Sequence, residues 1–252
     1  MSAPVFWSPR AGLVAGTRVV LDGAEGHHAA VVRRLRAGER LLLTDGAGTA
    51  ADCVVVEVGR DQLTATVESV SVAAAPQPRL VVVQALPKGD RGEIAVETLT
   101  EVGVDVIVPW AAARCVTQWK DQRGAKALER WRATAREAAK QSRRVWWPDV
   151  EGAASTSEVA ALIAGAALGL VLHEGATDAL GAVDVPGSGS VVVVVGPEGG
   201  ITDDERAAFA AAGARTVRMG PSVLRTSTAG TAAAAVLLAA TSRWTALGYR
   251  PK

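Results

Sequence analysis

Apolar residues recur along this chain in two different rhythms, and the change of rhythm divides it. Up to about residue 72 there are short β-branched runs at Val5–Trp7, Arg18–Leu21, Glu39–Thr44, Ala50–Val58 and Gln62–Ser71, separated by Gly, Asp and Pro. Runs of this length and punctuation predict strands. One helical insert interrupts them, His27–Arg36 (HHAAVVRRLR), with Ala30, Val31 and Leu35 on one side and Arg33, Arg34 and Arg36 largely on the other. Five strands and a helix predict a small β-barrel over residues 1–72, followed by a Pro-bearing linker at 73–79. Over residues 80–252 strands alternate with helices. The strands are predicted at Leu80–Ala85, Val104–Pro109, Gly169–His173, Val191–Val195 and Thr216–Arg218. The helices are predicted near Arg91–Val102, Arg123–Ser142, Ser157–Ala166, Asp203–Ala212 and Ser227–Thr245. Such alternation predicts an α/β domain with a parallel sheet covered on both faces.

The stretch from Val191 to Ala235 carries the densest signal. Its five consecutive valines are too uniformly apolar for a half-wet strand and predict one buried on both faces. The GPEGG loop then falls at the carboxyl end of a central strand, where open α/β sheets bind ligands. Thr202 and Glu205 form a capping box that starts the next helix. A second loop, MGPSVLRTSTA, also leaves a strand and opens a helix, and LVLHEG ends a third strand with His173 and Glu174. A plain strand-end turn accounts for His173 as well as a ligand contact does. Together Leu172–Gly175, Gly196–Ile201 and Met219–Thr228 predict one pocket built of backbone and glycine, suited to an adenosine-like ligand. Glu198, Arg225, Thr226 and Thr228 are its reactive-looking side chains.

Charge adds a second partner to this picture. The formal net charge is only +1, but Arg114–Arg144 holds ten Lys or Arg against three Asp or Glu. Arg132, Arg136, Lys140 and Arg143 are spaced to share one helix face, opposite an apolar stripe of Leu128, Trp131, Ala135 and Ala138. Five of the seven tryptophans lie between Trp110 and Trp147. A basic face beside aromatics suits phosphate contact and base stacking. Cys53 and Cys115 are too far apart for a CxxC pair and too few for a disulfide scaffold, which points to a reducing compartment. No signal peptide is evident, and the uncharged runs Val159–Leu172 and Thr226–Ser242 fall short of a membrane span. The expectation is a cytoplasmic protein with no membrane and no metal. No P-loop, GxSxG elbow, HExxH or Cys/His ligand set occurs. LLLTDGAG is followed by another strand pattern, which makes it a hairpin turn and argues against a dinucleotide oxidoreductase.

GPEGGITDDE and MGPSVLRTSTA closely resemble the 16S rRNA (uracil-N3)-methyltransferases of the SPOUT superfamily. Further matches are HHAAVVRRLRAGE, QALPKGDRGEIAVETLTEVGV, the arginine of ARC (Arg114) and AKQSRRVWWPDV, in order along nearly the whole chain. The resemblance implies a PUA-like RNA-binding barrel at 1–72 and an α/β-knot methyltransferase domain at 80–252. It implies S-adenosyl-L-methionine as cofactor and a homodimer through the knot domain, with the active site near the interface. It assigns cofactor binding to Leu172, His173, Glu174, Gly196, Pro197, Glu198, Gly199, Gly200, Ile201, Met219, Gly220, Pro221, Val223, Leu224 and Thr228. Arg225, Glu198 and Arg114 become the catalytic candidates, and Arg33, Arg34, Arg132, Arg136, Lys140, Arg143 and Arg144 the RNA-binding ones. The expected activity is methylation of N3 of a specific uridine in the 16S rRNA of the small ribosomal subunit. The alternatives are methylation of another RNA (tRNA or a ribose 2′-O) and a non-catalytic RNA-binding assembly factor. Two positions depart from the family's pattern: Lys140 stands where many relatives have glutamate, and Met219 where leucine is usual.

Overall fold

A computed structural model describes residues 3–9 and 13–245. The chain forms two compact units, one of residues 3–75 with 139–147, the other of 76–138 with 148–245.

The first unit is built on β1 (Val5–Trp7), β2 (Arg18–Leu21), β3 (Arg40–Thr44), β4 (Thr49–Val58) and β5 (Leu63–Val72) in the order β1-β3-β4-β5-β2. β1 runs parallel to β3 and the other pairs are antiparallel. Among the described residues β1 and β2 do not pair, so the expected barrel is an open five-stranded sheet. Two register shifts, at Asp52/Cys53 and Val55/Glu57, interrupt the long β4–β5 ladder, as bulges that bend a sheet do. Phe6, Leu41, Leu43, Cys53, Val55, Leu63 and Val67 fill its core. The DGAG segment joins the antiparallel β3 and β4, as the sequence predicts.

The helical insert starts earlier than predicted, as α1 (Gly23–His27), and continues as a π-helical turn over His28–Val32. The π turn alters the helical phase. Ala29 is therefore fully buried, while Val31 and Val32, on the predicted apolar side or beside it, are exposed. Trp146 and Trp147 pack over the β3–β4 hairpin. A Cβ on Gly48 would lie 2.6 Å from the Trp146 ring, and one on Gly46 2.8 Å from the Trp147 ring.

The second unit contains β6 (Arg79–Ala85), α2 (Arg91–Val102), β7 (Val106–Trp110), most of α3 (Asp121–Gln141), β8 (Asp149–Val150), α4 (Thr156–Ala164) and β9 (Leu168–Leu172). It continues with β10 (Ser190–Val195), α5 (Asp203–Ala211), β11 (Arg215–Val217), α6 (Thr226–Ala239) and α7 (Ser242–Thr245). Its six strands are all parallel, in the order β11-β9-β10-β6-β7-β8. β10 lies between β9 and β6 with all five valines buried, as its composition predicts. The two-residue β8 lacks the apolar run that a sequence reading needs.

The long helix predicted over Ser227–Thr245 is two, divided after Ala239. α6 is apolar nearly all round because it packs on both α2 and the sheet, and Gly230 lets it approach Leu99 and Val82. Beyond it, Arg243 reaches back under the sheet. It forms a bidentate pair with Asp105 at 2.6 and 3.0 Å and donates to the carbonyls of Gly103 and Pro78.

Candidate active site

The strand order sets the site. β9 lies between β10 and β11, and all three are parallel, so the loops at their carboxyl ends open on the same edge. After β10 the chain turns at Gly196–Thr202, where the Gly200 N–H donates to the Pro197 carbonyl at 2.9 Å. Gly200 has φ +76°, a left-handed conformation that disfavours any side chain. The capping box predicted at Thr202 and Glu205 is present: the Thr202 hydroxyl accepts from the Glu205 N–H, and the Glu205 carboxylate accepts from the Thr202 N–H.

After β11 the second loop runs to Arg225, the residue that caps α6. Its first helical residue ties it to the neighbouring loop, since the Thr226 hydroxyl donates to the Gly196 carbonyl at 3.2 Å. The fully buried Gln84 at the end of β6 donates its side-chain amide to the Thr226 carbonyl. After β9, the His173 N–H donates to the Val217 carbonyl, and the His173 ring accepts from the Gly175 N–H. A fourth segment comes from the end of β7. Arg114 lies across the GPEGG loop and donates through Nη1 to the Gly199 carbonyl at 3.1 Å. A Cβ on Gly199 would stand 3.0 Å from the Arg114 Cβ, so the two segments touch along their backbones.

These segments enclose a cavity of about 700 Å³, within the range of ordinary ligand sites. Its wall includes Leu172, His173 and Glu174 from the first loop, Gly196 through Ile201 from the second, and Met219, Gly220, Val223, Leu224, Arg225 and Thr226 from the third. Arg114 closes it from the fourth. Two predicted contacts fall outside the wall. Pro221 is not among the lining residues, and Thr228 turns its hydroxyl back to the Arg225 carbonyl within the first turn of α6.

Asp203, Arg206 and Arg218 also line the cavity and lie outside the three loops expected from the sequence, whereas Ser222 falls inside the third. Asp203 and Arg206 were legible in principle. The capping box fixes the helix start at Asp203, Arg206 lies one turn on, and the two form an ion pair. The hydrogen bond and charge of Arg206 hold the Asp203 carboxyl below its usual range.

The RNA-binding candidates fare unequally. Arg33 and Arg34 are exposed in the first unit, and Arg136 is exposed on α3. Arg132 is half-buried, donating to the Val150 carbonyl and to Glu129. Lys140 is not available to RNA: it is 7% exposed and its ammonium sits 2.9 Å from Glu25. Nor does Arg143 share the α3 face, because α3 ends at Gln141 and Arg143 turns left-handed at φ +57°. Arg144 follows it outside the helix, half-buried.

Two of the five clustered tryptophans, Trp110 and Trp131, are core packing residues, while Trp119, Trp146 and Trp147 are half-buried. Trp110 is fully buried against Phe209, and Trp131 is buried in a T-shaped contact with Trp119 at 4.9 Å. Cys53 and Cys115 are free and buried. Burial pushes the Cys53 thiol up to about 12 and raises Cys115 as well.

A parallel sheet with a glycine-walled cavity beyond its strand ends defines an α/β protein that takes a small ligand at that edge. Comparison with known proteins gives the family. Residues 74–238 match the RNA methyltransferase domain and residues 21–68 the RNA methyltransferase PUA domain. The ribosomal RNA small subunit methyltransferase E of Mycobacterium bovis is 49% identical over 235 residues, covering 92% of this chain and 90% of the relative. That of Bacillus subtilis is 30% identical, covering 83% and 85%. The crystal structure of the Neisseria gonorrhoeae ribosomal RNA small subunit methyltransferase E bound to S-adenosyl methionine superposes with a TM-score of 0.84 at 29% identity. It covers 94% of this chain and 98% of that one. The chain belongs to the RNA methyltransferase family.

Proposed function

We propose that this protein methylates N3 of a uridine in the 16S rRNA of the small ribosomal subunit, with S-adenosyl-L-methionine as methyl donor. The observation that carries the reading is the convergence of three glycine-bearing strand-end loops and Arg114 on one cavity, in a chain of this family. In this reading residues 80–252 form a SPOUT knot that holds the cofactor, and residues 1–72 form the RNA-binding domain. The reaction belongs to the cytoplasm, where ribosomal RNA is made.

The wall suits the cofactor. Leu172, Ile201, Met219 and Leu224 offer apolar surface to an adenosine, and the glycines admit close backbone approach. Glu174, Glu198 and Asp203 answer a positive sulfonium and amino group, and the arginines answer a carboxylate. When bound, the cofactor supplies an electrophilic methyl group.

The chain's own residues must handle the uracil. N3 lies on the Watson–Crick edge, so the base is unpaired or flipped to reach the cavity. N3 also carries a proton that has to leave; Glu198, which lines the cavity, is the candidate base for it, the alternative role being to fix the loop. Arg114 and Arg225 stabilise the charge that develops on O2 or O4. Arg33, Arg34 and Arg136 hold phosphates. Val116, Val223 and Leu224 are exposed by 74%, 79% and 41% beside the site. They support a homodimer that covers this edge.

Incubation of unmodified small subunits with labelled cofactor, followed by nuclease digestion and mass mapping, tests the assignment. N3-methyluridine at one position is expected. A 2′-O-methyl nucleoside, a modified tRNA or no transfer refutes it.

A further inference from the structure

Two helices of the second unit start with the same device, and the comparison isolates something one of them does beyond capping. At α4, Ser155 and Glu158 form a capping box in which Glu158 accepts the Ser155 N–H at 2.8 Å and its hydroxyl at 2.7 Å. Glu158 is exposed, and among the described residues its hydrogen bonds lie within its own box. At α5, Glu205 closes the equivalent box on Thr202, with both distances 2.9 Å, using only its Oε2. Yet Glu205 is 5% exposed. A box whose carboxylate is removed from water needs further donors.

Those donors come from another part of the fold. Glu205 Oε1 accepts the Ala113 N–H at 2.7 Å and faces the Thr156 hydroxyl at 3.5 Å, which itself accepts from Trp110 Nε1 at 3.3 Å. One carboxylate thus joins the start of α5, the start of α4 and the segment leaving β7. The residue after Ala113 is Arg114, whose guanidinium donates to Gly199 in the GPEGG loop. The same carboxylate that begins the helix after that loop also holds the backbone from which Arg114 projects.

We propose that Glu205 is a positioning residue for Arg114. By fixing the Ala113 amide it sets where the Arg114 guanidinium stands on the cavity wall. This rests on the reading that Arg114 acts on the bound uracil.

Glu205→Gln separates positioning from plain capping. A carboxylate accepts on both oxygens, whereas an amide has one accepting oxygen and must turn its NH₂ toward either the Thr202 or the Ala113 donor. A misplacement of about 1 Å in a catalytic group costs about 10²-fold in rate. Turnover on small subunits at saturating cofactor should therefore fall about 10²-fold in Glu205→Gln, with cofactor affinity by calorimetry unchanged. Glu205→Asp, which keeps the charge, should recover part of the rate and serves if the amide variant folds poorly. Glu158→Gln, the matched box, should lower the melting temperature without changing kcat. Because Glu205 acts through Arg114, Arg114→Ala and Arg114→Ala/Glu205→Gln should be equally slow.

Multiplied losses in the double variant, or wild-type kcat in both Glu205 variants, overturn the proposal. A readout without turnover keeps the two inferences apart: the Arg114 side-chain signal in ¹⁵N spectra of the free protein should shift in Glu205→Gln. An unmoved signal sinks the positioning role whatever the product. Failure of the wild type to form N3-methyluridine sinks the reaction assignment, and the spectrum still decides on Glu205.

Discussion

Arg243 offers the sharpest test of how the second unit is held together. Its guanidinium and the Asp105 carboxylate are 11% and 10% exposed, paired at 2.6 Å, with further bonds to Gly103 and Pro78. The Leu80 N–H also donates to Asp105, which fixes the start of β6 beside the start of β7. Arg243→Met keeps most of the aliphatic bulk but leaves the Asp105 carboxylate in a dry site without its guanidinium partner. Breaking a buried pair in this way costs about 3–5 kcal/mol. For a unit of this size each kcal/mol is worth about 2–4 °C, so the melting temperature should fall by about 6–20 °C. Urea denaturation of the variant should show a lower midpoint at unchanged slope. Adding Asp105→Asn should recover part of the loss, because the uncompensated charge disappears. Cofactor binding at 20 °C should be intact, since the pair lies at the opposite end of the strands from the cavity. A loss below about 1 kcal/mol, the value of a solvent-exposed pair, would refute the reasoning.

Three further outcomes follow from the site and the first unit. Gly200→Ala forces a side chain into a left-handed conformation at φ +76°; it should lose about 1–2 kcal/mol in thermal stability and bind cofactor more weakly by calorimetry. Replacing Arg33 and Arg34 with alanine should flatten the salt dependence of RNA binding by about one unit of slope per lost phosphate contact. Lys140→Ala should leave that slope unchanged, because its ammonium is committed to Glu25, and should instead lower the melting temperature. Cys53 ionises only near 12, so the native protein at pH 8 should resist thiol labelling at both cysteines; labelling should rise as pH increases through the raised values and become complete on adding urea.

Much of this was legible because local chemistry and final structure agree. The five valines of β10 could fill only a doubly covered strand, and GPEGG followed by Thr202 and Glu205 announced both a turn and a helix start. The stripe of Leu128, Trp131 and Ala135 gave the buried side of α3 directly. What escaped reading depended on partners distant in sequence. No periodicity says that Lys140 will be buried, because its companion Glu25 lies 115 residues away in sequence. Composition records how close the tryptophans stand in sequence and not that Trp110 and Trp131 are buried. The π turn after α1 moved Ala29 inward by a change of helical phase that an ideal 3.6-residue period cannot express. Glu205 was read as a cap, correctly, but its second oxygen answers to Ala113, a contact with no local trace.

The strand order also carries a consequence for how the chain is made. β6 pairs with β7 soon after both are synthesised, but its other edge waits for β10, with Arg79 opposite Ser190. At ordinary rates of synthesis that interval is on the order of ten seconds. During it the sequence LVVVQA shows an apolar strand edge to whatever is nearby. The arrival of β10 closes that edge and brings the GPEGG loop to the edge where the ligand cavity opens. The cavity therefore cannot exist before the sheet is sealed: competence to bind and protection from aggregation are acquired in the same event, late in translation.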